Sequence, residues 1–243
     1  YLSAMRSFER FIGNHDLMLW EVTPELIEEY EHWLTDNGAC LNTVSFYLRI
    51  LRAVYKRAVR QKLIADASPF AIAYTGIAAT RKRAISLACI QRITDADVSC
   101  DANLQLAKDL FLFSFYCRGM AFVDMAHLTA DCIRDGYLIY KRQKTKQTLI
   151  IRWEPQMQGI VNKNSNNGKH LLPIIKDNGE DDYLQYLRMN KNVSRWIKAV
   201  GRAAGIGASL TMYVARHSWS SIAKQRNHPI GIISRALGHT SER

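Results

Sequence analysis

Two short stretches near the C-terminal end of the sequence, TMYVARHSW and IISRALGHTSER, carry Arg216 and His239. A guanidinium stays charged at any biological pH and presents a fixed fork of donors to two oxygens of a phosphate. An imidazole adds one more hydrogen bond, and the two together can stabilise a crowded phosphoryl transition state without a metal. Arg–His pairs this close in sequence are also common on solvated helix faces, so the pair defines a candidate and not yet a site. A second group with possible chemistry is the carboxylate cluster Asp177, Glu180, Asp181 and Asp182, placed where a helix is expected to begin. Acidic side chains stabilise the partial positive charge of a helix N-terminus, an account preferred here to metal ligation.

Periodicity and capping define the elements that must position these groups. Leu2, Met5, Phe8 and Ile12 repeat at helical spacing with no cap before them, and only four residues follow His239, so both ends read as cut. A helix is expected from Thr23 to Gly38: Thr23 is a good N-cap, Pro24 suits the first position, and Leu26, Ile27, Tyr30, Trp33 and Leu34 share one face. The next helix, Asn42 to Leu63, places Arg49, Arg52, Lys56 and Arg60 in one stripe opposite Val44, Tyr47, Leu51, Val54 and Ala58. Between Cys40 and Ile64 there are six basic residues and no acidic one. Such a stripe is either a solvated face or a surface screened by a phosphate backbone. From Ser68 to Arg83 the pattern weakens into Pro69, Gly76 and the run RKR, as expected of an exposed linker.

Beyond it, Asn103 to Tyr116 is apolar on most sides and should be a central buried helix, with Arg118 emerging from its end. GYLIYKRQ and QTLIIRW read as two antiparallel strands joined by a basic turn at Lys144, Thr145 and Lys146. VNKNSNNGKH reads as a polar loop, followed by helices from Asp182 to Ala204, Tyr213 to Gln225, and Ile230 to Ala236, the last opened by Pro229. At 243 residues and 48% apolar, the chain can bury one large core or two modest ones. Lys plus Arg number 33 against 22 Asp plus Glu, and the net charge of +11 points to a polyanionic partner, nucleic acid first. No apolar run is long enough to span a membrane and no signal peptide opens the chain, so the cytoplasm is the expected location. The five cysteines, Cys40, Cys89, Cys100, Cys117 and Cys132, lack disulfide or zinc spacing and are expected to be small buried hydrophobes.

YVARHSW followed by LGHTS resembles the second arginine box and the LGH box of the tyrosine recombinases, the phage-integrase family. FYCRGMAFVDMAHL around Arg118 and KRQKTKQ around Lys144 match the same family in the same order. The likeness is greatest to the versions carried by mobile elements of the Bacteroides group. It implies a mainly α protein with a small antiparallel β element: a helical core-binding, SAM-like domain over 1–75, a linker over 76–84, and an α+β catalytic domain over 85–243. The implied activity is site-specific recombination of duplex DNA through a 3′-phosphotyrosyl intermediate, with no cofactor and no metal. Arg118, Arg216 and His239 would hold the scissile phosphate, Lys144 would protonate the leaving oxygen, Tyr213 would orient it, and Asp124 would buttress an arginine. Arg49, Arg52, Lys56 and Arg60 would face the duplex. The family's members assemble as tetramers on DNA, and the free protein is expected to be monomeric.

The match departs from the family in three places. Ala121 stands where the first arginine is expected, with Arg118 one helical turn earlier; Tyr213 stands where His or Lys is usual; and no tyrosine follows His239, so the chain is expected to stop before its nucleophile. His217 is expected to be structural and Trp219 a core aromatic. Two other readings compete: a catalytically silent DNA-binding regulator, and a metal-dependent nuclease built on the acidic residues.

Overall fold

The computed structural model describes the chain apart from residues 14–15, 80–82, 165–167 and 240–243. Two compact units, Tyr1–Arg81 and Lys82–Arg243, divide it.

The first unit is helical: α1 (Leu2–Ile12), α2 (Pro24–Asp36) and α3 (Leu41–Arg60). Thr23 Oγ1 accepts the Leu26 N–H at 3.2 Å and Pro24 opens α2, the start that the sequence signals. Phe8, Ile27, Tyr30, Leu34, Val44, Leu48, Leu51 and Tyr55 form its core. The buried stripe of α3 therefore runs through Leu48 and Tyr55, and Val54, expected inside, is 39% exposed. After α3 the chain turns back along that helix. Tyr55 Oη donates to the Ala65 carbonyl and accepts from the Ala67 N–H, Ser45 Oγ donates to the Gly76 carbonyl at 2.6 Å, and Asn42 exchanges two hydrogen bonds with Ala78. Phe70 enters the core beside Tyr55. Residues 65–78 are thus bound to α3, where a free linker was expected from Ser68. Arg81 and Lys82 of the RKR run lie outside the described residues.

The second unit is built around one buried helix. In order its elements are α4 (Leu87–Asp95), α5 (Ala102–Tyr116), α6 (Phe122–Ala126), β1 (Ile133–Arg134), β2 (Tyr137–Lys141), β3 (Thr148–Arg152), α7 (Pro155–Lys163), α8 (Asp182–Ala203), α9 (Met212–Gln225) and α10 (Ile230–Ala236). Asp101 caps α5, accepting from the Asn103 N–H at 2.8 Å. Leu110, Phe111 and Phe113 are fully buried, and α4, α7, α8 and α9 all pack on α5. Beside the bundle lies one antiparallel sheet of order β1-β2-β3, with Tyr137 opposite Arg152 and Lys141 opposite Thr148. A mainly helical fold with a small antiparallel sheet is what the sequence led us to expect; α4, α6, α7 and the two-residue β1 were not anticipated.

Two local expectations need revision. Only Cys117 is buried, while Cys40 and Cys100 are exposed and Cys89 and Cys132 half-buried, because they fall on surface turns and helix ends. The acidic cluster divides into separate structural tasks: Asp181 caps α8 by accepting from the Leu184 N–H at 2.9 Å, Glu180 pairs bidentately with Arg188, and Asp177 accepts from the Lys169 N–H. In the polar loop expected over 161–170, α7 continues to Lys163 and residues 165–167 lie outside the described set. Among the described residues no helix is long and apolar enough to cross a membrane.

If α5 is the keystone of the second unit, Phe111→Ala should lower its unfolding free energy by about 3–5 kcal/mol in urea titrations, the transfer loss plus the cavity. A loss below about 1 kcal/mol would place this helix at the surface.

Candidate phosphate-binding site

The site begins where α5 ends. Cys117 caps the helix, and Arg118 and Gly119 then turn through left-handed backbone, φ 58° and 72°. Ser114 holds the turn from inside, its carbonyl accepting the Gly119 N–H at 2.7 Å and its Oγ donating to the Met120 carbonyl at 2.8 Å. A Cβ on Gly119 would lie 2.3 Å from Arg216 Cα. Only glycine lets α9 cross this closely, and only glycine takes this φ without strain.

That contact lays Arg216 into the protein, with 5% of its surface exposed. Its Nη1 donates to the Gly119 carbonyl at 3.0 Å, and its Nη2 donates to the Leu237 carbonyl and lies 3.1 Å from His239 Nε2. Arginine only donates, so His239 Nε2 must accept, which puts the imidazole proton on Nδ1 in the neutral ring. His239 is itself set by the end of α10: Gly238 turns at φ 65° and the His239 N–H bonds to the Ser234 carbonyl at 3.0 Å.

A second arginine enters from the sheet. Arg142, just past β2, is 8% exposed and donates through Nη1 to the Gly238 carbonyl, while among the described residues no group accepts its buried Nε–H. Arg216 and Arg142 thereby grip consecutive carbonyls, those of Leu237 and Gly238, directly before His239. Thr145 Oγ1 donates to the same Gly238 carbonyl at 3.1 Å and Gln147 Nε2 to the His239 carbonyl at 3.3 Å, so the β2–β3 turn is tied to the segment after α10. Asp124, in α6, accepts from the Gln143 N–H at 2.8 Å and fixes the turn from the other side. Burial raises the Asp124 carboxyl, against the pull of that N–H and of Arg142, Arg216 and His127. His239 is held below the ordinary histidine value, first by burial and then by the charges of Arg216, Arg142 and Lys144. Burial is also the main force lowering Arg216, with Arg142 next.

Several of the residues singled out in the sequence meet here. Arg216 and His239 touch; Asp124 sits among them; and Lys144, exposed at the turn, lies close enough for His239 to feel its charge. Tyr213 is 58% exposed on the first turn of α9 and stands edge-on to His217 at 4.6 Å, with its phenol acting on Arg216 through charge alone. His217 is lowered by burial and by Arg216 and Arg83, and Trp219 packs partly buried against the core. Arg118 lines a cavity of about 480 Å³ together with Tyr116, Trp219, Arg226 and His228, between α5, α9 and α10. The arginine that the structure places beside Arg216 and His239 is Arg142, which the sequence reading missed. A signal was available: Leu138, Tyr140 and Arg142 alternate onto the buried face of β2, and a charge continuing an inward register is unusual.

On α3, Arg49, Lys56 and Arg60 are exposed and Arg52 half-buried. Lys56 pairs with Asp66 at 2.6 Å and Arg52 Nη1 donates to Thr75 Oγ1 at 3.3 Å, both partners coming from the returning strap. Among the described residues no group of three or more His, Cys, Asp or Glu could hold a metal ion.

Comparisons with known proteins agree with this architecture. Residues 1–75 match the family model described as the phage integrase SAM-like domain. Tyrosine recombinase XerD of Pseudomonas putida is 21% identical over 99% of the chain and 81% of its own length. A crystal structure of lambda integrase (75–356), a dimer bound to a COC′ core site, superposes with TM-score 0.76 at 17% identity over 100% of this chain and 87% of its own. Lambda integrase as a tetramer bound to a Holliday junction gives TM-score 0.75 at 18% identity, covering 100% of this chain and 70% of the other. The fold is that of lambda integrase (75–356). The chain is thus similar over its length to a tyrosine recombinase and in fold to a phage integrase.

Because burial and then three cations depress His239, its imidazole should titrate below about 6.5 in NMR. Lys144→Gln and Arg142→Gln should each move that value upward, and inorganic phosphate should do the same by neutralising the cations. An unchanged titration in all three experiments would remove His239 from this electrostatic cluster.

Proposed function

We propose that the chain is a site-specific tyrosine recombinase of the kind carried by Bacteroides mobile elements, acting on duplex DNA in the cytoplasm. The observation that carries the reading is the gathering of Arg216, His239 and the Lys144 turn around one buried, net-positive site with, among the described residues, a single carboxylate, Asp124. Burying cations without matching anions costs several kcal/mol per charge, so the site is built for an anion that arrives later. A DNA phosphodiester suits it: Arg216 and His239 supply donors to the non-bridging oxygens where charge develops. A tyrosine oxygen attacks phosphorus and its proton passes to solvent; the bond from phosphorus to the 5′ oxygen breaks, and the Lys144 ammonium gives that oxygen its proton. The product is a 3′-phosphotyrosyl link, reversed when another 5′-hydroxyl attacks. The sequence has no tyrosine after His239, and the reading places the attacking phenol outside these 243 residues. Tyr213, beside His217, orients the phosphate. In the first unit, Arg49, Arg52, Lys56 and Arg60 follow the duplex backbone, and by analogy with the lambda integrase tetramer four copies assemble on two DNA sites.

The test is covalent trapping: the polypeptide of the complete coding frame, a nicked duplex carrying its site, and chelator throughout. A denaturing gel should show a protein–DNA adduct, reduced about 100-fold by Arg216→Ala. Adduct formation that needs a divalent metal, or that ignores Arg216→Ala, would sink the reading; specific DNA binding with no adduct would leave a silent regulator.

A further inference from the structure

We infer that Arg142 is the second phosphate-binding arginine of this site, replacing from the β-sheet the guanidinium that the α5–α6 turn does not supply. The inference rests on the functional reading above and deepens it. Three independent features lead to it.

First, Arg142 has a donor left over. Its side chain is more than nine-tenths buried, its Nη1 is engaged by the Gly238 carbonyl, and its Nε–H has no acceptor among the described residues. An unsatisfied buried charged donor is expensive, and one such donor beside another guanidinium is more so, because like charges repel strongly where water is excluded. A phosphate oxygen reached by the Nε–H would remove both costs together.

Second, the anchors of the two arginines set them side by side. Arg216 holds the Leu237 carbonyl and Arg142 the Gly238 carbonyl. Consecutive Cα atoms are about 3.8 Å apart, a spacing on the scale of one phosphate group. Gly238 makes the approach possible, since a Cβ there would meet Arg142 Cδ at 3.1 Å and Leu149 Cδ1 at 3.1 Å.

Third, the alternatives are occupied or absent. Ala121 has no functional side chain, and Arg118 lines the separate cavity with Arg226 and His228. Asp124 feels the charge of Arg142, but its hydrogen bond goes to the Gln143 N–H, which holds the turn and leaves Arg142 without a carboxylate bonded to it.

The experiment compares the 243-residue chain with Arg142→Ala, Arg142→Gln, Arg118→Ala, Arg216→Ala and the double variant Ala121→Arg/Arg142→Ala. The readout is the rise in melting temperature on exchanging chloride for inorganic phosphate at matched ionic strength. Taking the difference within each variant removes any intrinsic loss of stability, and the uncharged polar Gln variant, which keeps the aliphatic stem, covers the case in which the alanine variant does not fold. Wild type and Arg118→Ala should show the rise, Arg142→Ala, Arg142→Gln and Arg216→Ala should lose it, and Ala121→Arg/Arg142→Ala should regain it. In the complete polypeptide, Arg142→Gln should slow adduct formation about 100-fold on ordinary DNA. On a methylphosphonate at the scissile position, which lacks one anionic oxygen, that penalty should shrink to a few-fold, an effect a purely structural role would not produce. A rise retained in Arg142→Gln but lost in Arg216→Ala overturns the assignment of Arg142 alone. A rise retained in both variants overturns the phosphate site itself.

Discussion

The second unit depends on two guanidiniums hydrogen-bonded to the adjacent carbonyls of Leu237 and Gly238. Those carbonyls are free because α10 ends there, and the last carbonyls of any helix lack partners within it. Satisfying them with arginines from α9 and from the end of β2 closes the helix terminus and joins three distant parts of the chain. The turn after α5 joins the same junction, since the Gly119 carbonyl takes the other arm of Arg216. Caps, turn and sheet therefore converge on His239, whose ring is oriented by Arg216 and whose carbonyl is held by Gln147.

Much of this architecture is legible in the sequence, and for local reasons. Thr23 and Pro24 mark the start of α2, the apolar run from Leu104 to Phe115 marks the buried α5, and alternation in YLIYK and TLIIR marks the hairpin. Arg216, His239 and Lys144 are visible as chemistry because their motifs are contiguous. What was hidden depends on tertiary geometry. The path of the chain after α5 is decided by two left-handed residues, Arg118 and Gly119, a feature that periodicity does not encode. Arg142 was legible only to a reader who continued the inward register of β2 past its last ladder pair, where a basic turn reads more naturally as solvent-exposed. The strap over α3 was missed for a related reason: Pro69, Gly76 and small residues look like a linker, yet their backbone groups are satisfied by Asn42, Ser45 and Tyr55, side chains scattered along a helix.

The same strap shows how differently the two units treat positive charge. On α3, Lys56 meets the carboxylate of Asp66 at an exposed position, where such a pair contributes about 0–1 kcal/mol and water can displace it.

In the second unit the choice of partners is the reverse. Arg216 and Arg142 are buried, yet their hydrogen bonds go to neutral carbonyls and an imidazole, and the nearby carboxylate of Asp124 binds a backbone N–H instead. Carbonyl acceptors fix the direction of a guanidinium without cancelling its charge. Had carboxylates filled those positions, the ion pairs would have been satisfied internally and an incoming anion would have had to break them. Neutral anchoring leaves the positive potential intact, and burial strengthens it by excluding water. The cost of holding like charges together is thus borne by helix-end and turn hydrogen bonds spread over α5, α9, α10 and the hairpin.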